Sequence, residues 1–104
     1  LHMFQRSADT PIGLPSNMAQ YAALTVAIAH VLGLEPYEYV HSFSDAHIYE
    51  NQIDAVEELL ARETRPFPTL MMNTEKTDLF DFTKDDFEIE DYRPHENIKI
   101  PVAV

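Results

Sequence analysis

The 104 residues carry seven Lys and Arg against eighteen Asp and Glu, a net charge of −11, which excludes nucleic acid and anionic membrane surfaces as expected partners. A composition 45% hydrophobic and 11% aromatic suits a folded unit rather than a disordered tail. The absence of cysteine excludes a disulfide framework, a thiolate metal site and a redox pair, and no basic start leads into an apolar stretch, so the cytoplasm is the expected compartment.

In chain order, Leu1 to Gln5 alternates weakly and opens without a cap or turn, which predicts a strand entered part-way along and hence a longer parent chain. Thr10-Pro11 and Gly13-Leu14-Pro15 punctuate the chain before Met18, Tyr21, Ala22, Thr25, Ile28, Ala29 and Leu32, whose spacing of three and four predicts a helix ended by Gly33. Ala23, Leu24, Val26, Ala27 and Val31 occupy its other face. A helix apolar nearly all round is expected to lie inside the protein, and a chain of this size can hardly cover it on every side, so a subunit partner or further chain is expected. The longest uncharged run, Thr10 to Leu34, is broken by Pro11, Gly13, Pro15, Asn17, Gln20 and His30 and does not read as a membrane span.

From Tyr37 to Tyr49 the chain is rich in aromatic and β-branched residues, which predicts a strand with His47 and Tyr49 on one face. Asn51 to Arg62 reads as a second helix with Ile53, Val56, Leu59 and Leu60 as its buried stripe, stopped by Arg65-Pro66. Thr69–Met72 and Phe87–Tyr92 read as further strands, and Asp78–Phe82 as a helical turn. The acidic run between Glu75 and Glu96 reads as a solvated face. No repeat, low-complexity tract or linker interrupts the chain, so residues 1–104 form a single unit of helices and strands.

Several residues could carry chemistry. The planar charged fork of Arg6 and the hydroxyl of Ser7 suit a phosphate, although a surface arginine at a strand end is the commoner case. Gly13, without a Cβ, reads as a simple turn before the helix. The Asn17 amide, with one acceptor and one donor group, can match a neighbouring donor and acceptor on a ligand together; helix capping by Asn17 or Ser16 is the competing structural role. His41, Asp45 and His47 admit a zinc reading, with an ordinary hydrogen-bonded strand histidine as the favoured alternative. His30 is expected to be a satisfied core histidine, and no role is assigned to His2, His95 or Met71-Met72.

The run Gln5-Arg6-Ser7-Ala8-Asp9-Thr10-Pro11-Ile12-Gly13-Leu14-Pro15-Ser16-Asn17, followed by Ser44-Asp45-Ala46-His47-Ile48-Tyr49, resembles the nucleotide-binding signature of thymidylate synthase. Tyr92-Arg93-Pro94-His95 and the ending Ile100-Pro101-Val102-Ala103-Val104 resemble the family's C-terminal segment, so the likeness spans nearly the whole chain as its C-terminal part. Ser16 stands where many members carry an aromatic.

The resemblance implies an α+β fold with a mixed sheet and a long buried central helix. It implies that Arg6, Ser7, Asn17, His47 and Tyr49 bind deoxyuridine monophosphate (dUMP), with Arg6 and Ser7 on the phosphate, Asn17 on uracil, His47 and Tyr49 on the 3′-hydroxyl, and Asp45 in support. Asp9, Gly13, Ala103 and Val104 would bind folate, with 5,10-methylenetetrahydrofolate as co-substrate and no metal. The implied reaction is methylation of dUMP to thymidylate in a homodimer, opened by a cysteine thiolate. No residue here supplies that nucleophile, so the isolated chain is expected to be inactive and no catalytic residue is assigned within it. Two alternatives are a deoxynucleotide hydroxymethylase of the same fold, acting on dUMP or its cytosine counterpart, and a non-catalytic nucleotide-binding or assembly module.

Overall fold

A computed structural model describes residues 1–102. Strand β1 (His2–Asp9) leads into helix α1 (Gly13–Val31), which returns to strand β2 (Val40–His47) lying parallel to β1. Parallel strands need a crossover connection of a dozen or more residues, and α1 is that connection. A single 3-10 turn, Glu50–Gln52, starts helix α2 (Ile53–Leu60). Strands β3 (Thr69–Met72) and β4 (Phe87–Glu90) then pair antiparallel, with Thr69 opposite Glu90 and Met72 opposite Phe87.

The helices and strands accord with the α+β expectation, but the sheet arrangement corrects it. The described residues form two separate two-stranded sheets, one parallel and one antiparallel, rather than one mixed sheet. The strand expected from Tyr37 to Tyr49 is confined to Val40–His47, and that expected from Phe87 to Tyr92 stops at Glu90, where Asp91 takes a positive φ of 58°. β1 runs beyond the expected Gln5 because β2 continues to offer it hydrogen-bonding partners up to His47.

Helix α1 begins earlier than its apolar periodicity suggests. Ile12 is the N-cap, so Pro15 falls in the first turn, where a missing N–H costs no intrahelical bond. Its other end follows the expectation for Gly33. That glycine has φ 66°, its N–H donates to the His30 carbonyl at 3.1 Å, and Leu34 N–H donates to Ala29 O at 2.8 Å, a Schellman closure.

Burial departs furthest from expectation. Within α1 only Ala27 and Ala29 are buried, while Met18 is exposed, so the helix is not enclosed by this chain. On α2, Ile53, Leu59 and Leu60 are exposed and Val56 is half-buried. The radius of gyration is 16.1 Å, against about 13 Å for a compact domain of this length. The layers are too few and too open to cover both helices. Phe4, Tyr37, Phe67 and Phe80 accordingly stand in solvent. Among the described residues no helix is long and apolar enough to cross a membrane.

Two sets of side-chain bridges hold the outer parts in place. His30 Nε2 is 2.8 Å from the Lys76 carbonyl and its ring meets Phe82 edge-on, tying α1 to the segment before β4. This histidine is satisfied, as the sequence suggested, but half-buried rather than in the core. After α2, Arg65 donates to the Arg93 and Pro94 carbonyls, Arg62 donates to the Glu96 carbonyl, and His95 Nε2 lies 2.8 Å from the Glu63 carbonyl, which seats the C-terminal segment alongside the helix.

Candidate nucleotide and folate site

The parallel pairing of β1 and β2 interleaves two motifs almost forty residues apart. Ser7 lies opposite Asp45 and Asp9 opposite His47, at the C-terminal ends of both strands. In open α/β arrangements ligands collect beyond those ends, where loops leave the sheet. Thr10 N–H donates to the His47 carbonyl at 3.0 Å, fixing the first motif's exit from β1 against the second.

Asp45 is the hub of the outer part of the site. It accepts a hydrogen bond from Ser7 Oγ at 2.8 Å and faces His47 Nδ1 at 3.3 Å. The Ser7 hydroxyl and the His47 ring, with the Arg6 charge nearby, hold its carboxyl below the usual range. Ser7 thus spends its proton on Asp45 and reaches a phosphate only by turning away. Arg6 is exposed, and strand pairing runs on either side of it but passes over Arg6 and Ser44, an interruption at the candidate phosphate arginine itself.

His47 and Tyr49 do lie side by side, with ring centroids 5.0 Å apart and planes at 70°. The strand periodicity offered as the reason holds only in part, since β2 ends at His47 and Tyr49 caps the following 3-10 turn. Gln52 arranges this corner and was not singled out from the sequence. Fully buried, it accepts from Tyr49 N–H at 3.1 Å and donates to the Pro101 carbonyl at 3.0 Å, joining the Tyr49 turn to the chain's end. Nothing in its neighbourhood, between exposed Asn51 and Ile53, signals burial. Ala103 and Val104, expected at the folate, lie outside the described residues.

The inner part of the site is built around the start of α1. Asn17 stands in the helix's second turn, so neither it nor Ser16 is the cap, which removes the capping role as an account of Asn17. Gln5 donates from Nε2 to the Ser7 carbonyl at 2.8 Å and to Asn17 Oδ1 at 3.2 Å, coupling the uracil candidate to β1. A Cβ added at Gly13 would meet Asp9 Cβ at 3.6 Å and Asn17 Oδ1 at 3.8 Å, ordinary contact distances. Glycine is therefore not demanded by the chain's own packing; its effect is to leave open the space between Asp9 and Asn17.

That space bears on the folate. Asp9 Oδ1 is buried with no hydrogen-bond partner among the described residues, and a buried carboxylate oxygen is costly to leave unpaired. An N–H-bearing heterocycle such as a pterin satisfies it, so Asp9 and the gap beside Gly13 fit the group. His41 has both ring nitrogens engaged, with Tyr39 and with Gln5, and among the described residues no group of three or more His, Asp or Glu is arranged to hold a metal ion.

The sequence model of the thymidylate synthase family matches residues 1–104, the whole length of the chain, motifs and site included. Members of this family are methyltransferases that take methylenetetrahydrofolate as co-substrate. The chain belongs to the thymidylate synthase family.

Proposed function

We propose that this chain forms the dUMP- and folate-recognising part of a thymidylate synthase, acting on dUMP with 5,10-methylenetetrahydrofolate to give thymidylate. The observation that carries this reading is the pairing of Ser7 with Asp45 and Asp9 with His47, which draws the residues of two separated motifs to one end of a parallel strand pair. Arg6 and Ser7 hold the phosphate, Asn17 reads uracil, and His47 with Tyr49 holds the sugar hydroxyl. Asp9 accepts from the pterin across the gap left by Gly13.

Bound methylenetetrahydrofolate supplies the one-carbon unit and the hydride. The chain's own residues bind and orient: Asn17 donates to O4 and accepts from N3–H, and Asp45 steadies the His47 ring. The attack that opens the reaction needs a cysteine thiolate, which these 104 residues do not contain, so turnover requires one from outside this segment. The largely uncovered α1 and the exposed Phe4 favour burial against further protein, in keeping with a homodimer.

Calorimetric titration of the protein with dUMP and with its cytosine counterpart, dCMP, tests the reading. Saturable binding that prefers dUMP is expected; equal or absent binding of both refutes it.

A further inference from the structure

Asn17 can read uracil only in one of its two amide orientations, since a flipped amide presents the pattern that suits cytosine. Four hydrogen bonds on this chain bear on that choice. Gln5 Nε2 lies 2.8 Å from the Ser7 backbone carbonyl, which accepts and never donates, so the Gln5 atom there is the NH2 group. Its second proton points to Asn17, 3.2 Å away, and the Asn17 atom receiving it is Oδ1. A flipped Asn17 would set NH2 against NH2.

The polarity continues in the other direction. With both Nε2 protons spent, Gln5 offers only Oε1 to His41 Nε2 at 2.9 Å, so His41 donates there. Its Nδ1 is then the acceptor for the Tyr39 hydroxyl at 2.8 Å. Burial, with a lesser contribution from Tyr21, holds the Tyr39 phenol above its ordinary range, which suits a group that keeps its proton and donates it. Tyr21 stacks on Tyr39 at 6.4 Å and Phe43 meets the His41 ring edge-on at 5.8 Å, so aromatic neighbours restrict both rings.

We infer that Tyr39, His41 and Gln5 form a one-way hydrogen-bond relay, anchored on the Ser7 carbonyl, that locks Asn17 in its uracil-reading orientation and makes Tyr39 and His41 specificity-determining positioning residues. The inference rests on the reading of Asn17 as the uracil contact. Once oriented, Asn17 retains two free Nδ2 protons and one Oδ1 lone pair, the set that O4 and N3–H require. None of the relay residues touches the base in this scheme except Asn17. Their effect is therefore on discrimination between bases rather than on affinity for the shared phosphate and sugar.

The test compares dUMP and dCMP binding by the parent protein and by His41→Leu, His41→Gln and Tyr39→Phe. Losing one ordering hydrogen bond costs about a tenfold factor, so His41→Leu should lower the dUMP to dCMP preference about tenfold. His41→Gln, whose amide can still donate to Gln5, should restore most of it, and Tyr39→Phe should lower it less than His41→Leu. Nitrogen-15 spectra of the parent's histidine rings should show His41 as the Nε2–H tautomer. A His41 found as the Nδ1–H tautomer overturns the relay even if a variant fails to fold. A parent that prefers dUMP while His41→Leu keeps the full ratio also overturns it, leaving the function reading standing. A parent without preference removes that reading, and the relay's role in specificity with it.

Discussion

Replacing Gln52 by methionine isolates the contribution of the one large side chain that is completely buried among the described residues. The two side chains have similar volume, so the cavity cost is small and the perturbation is the loss of two hydrogen bonds. Tyr49 N–H, at the head of the turn into α2, loses its acceptor at 3.1 Å, and the Pro101 carbonyl loses its donor at 3.0 Å. Both bonds are partly buried and join Gln52 to the exposed residues Tyr49 and Pro101, and losing each costs about 1 kcal/mol. The net expectation is about 2 kcal/mol, or a fall in Tm of about 10 °C for a domain of this size. Thermal and urea denaturation of parent and variant measure it. Hydrogen exchange over residues 98–101 should rise in the same variant because the tail has lost its anchor. A Tm within 2 °C of the parent, or unchanged exchange in the tail, would refute the bridge as a structural element.

Three further outcomes follow from the same kind of reasoning. Thr83 N–H, the Asn73 amide and the Thr83 hydroxyl hold the Asp86 carboxyl below its ordinary value of 3.8, with Lys76 assisting, so its stabilisation is complete above that value and is lost as pH falls through the lowered folded value. Asp86→Asn should therefore be less stable than the parent at neutral pH, with the gap closing in acid; urea midpoints that differ equally at pH 2 and pH 7 would contradict this. Ser7→Ala removes the largest cause of the depressed Asp45 carboxyl, so its NMR titration should move upward, and an unmoved midpoint would mean that the Ser7 bond is not made in solution. Gly33→Ala places a Cβ at φ 66° with nothing within 4 Å to clash, a purely backbone cost of about 1 kcal/mol in chemical denaturation, and a neutral result would show that α1 does not close in the left-handed form.

Local features were readable where local physics decides them. Gly33 closes α1 because only glycine adopts that backbone without penalty, and Thr69–Met72 forms its strand over the expected span. The start of α1 was misread because Pro11, Gly13 and Pro15 look like a turn, although a proline in a first turn is compatible with a helix. The Asn17 and His47 candidates emerged through motif resemblance, while Gln5 stood only as the first residue of that motif, His41 only as a zinc candidate, and Gln52 carried no recognisable local signal. Each acts through partners distant in sequence, thirty-six residues apart for Gln5 and His41 and forty-nine for Gln52 and Pro101.

By itself the sequence determined the periodic elements, the helix-closing glycine and membership of the thymidylate synthase family, because propensity, turn chemistry and motif identity are properties of neighbouring residues. Only the tertiary structure decided that β1 and β2 lie parallel in the register that sets Ser7 against Asp45, that the Asn17 amide is oriented from β2 through β1, and that apolar faces of α1 and α2 remain uncovered. The reason is physical: register, hydrogen-bond polarity and burial depend on which distant surfaces meet, and no periodicity within a single element encodes its partner.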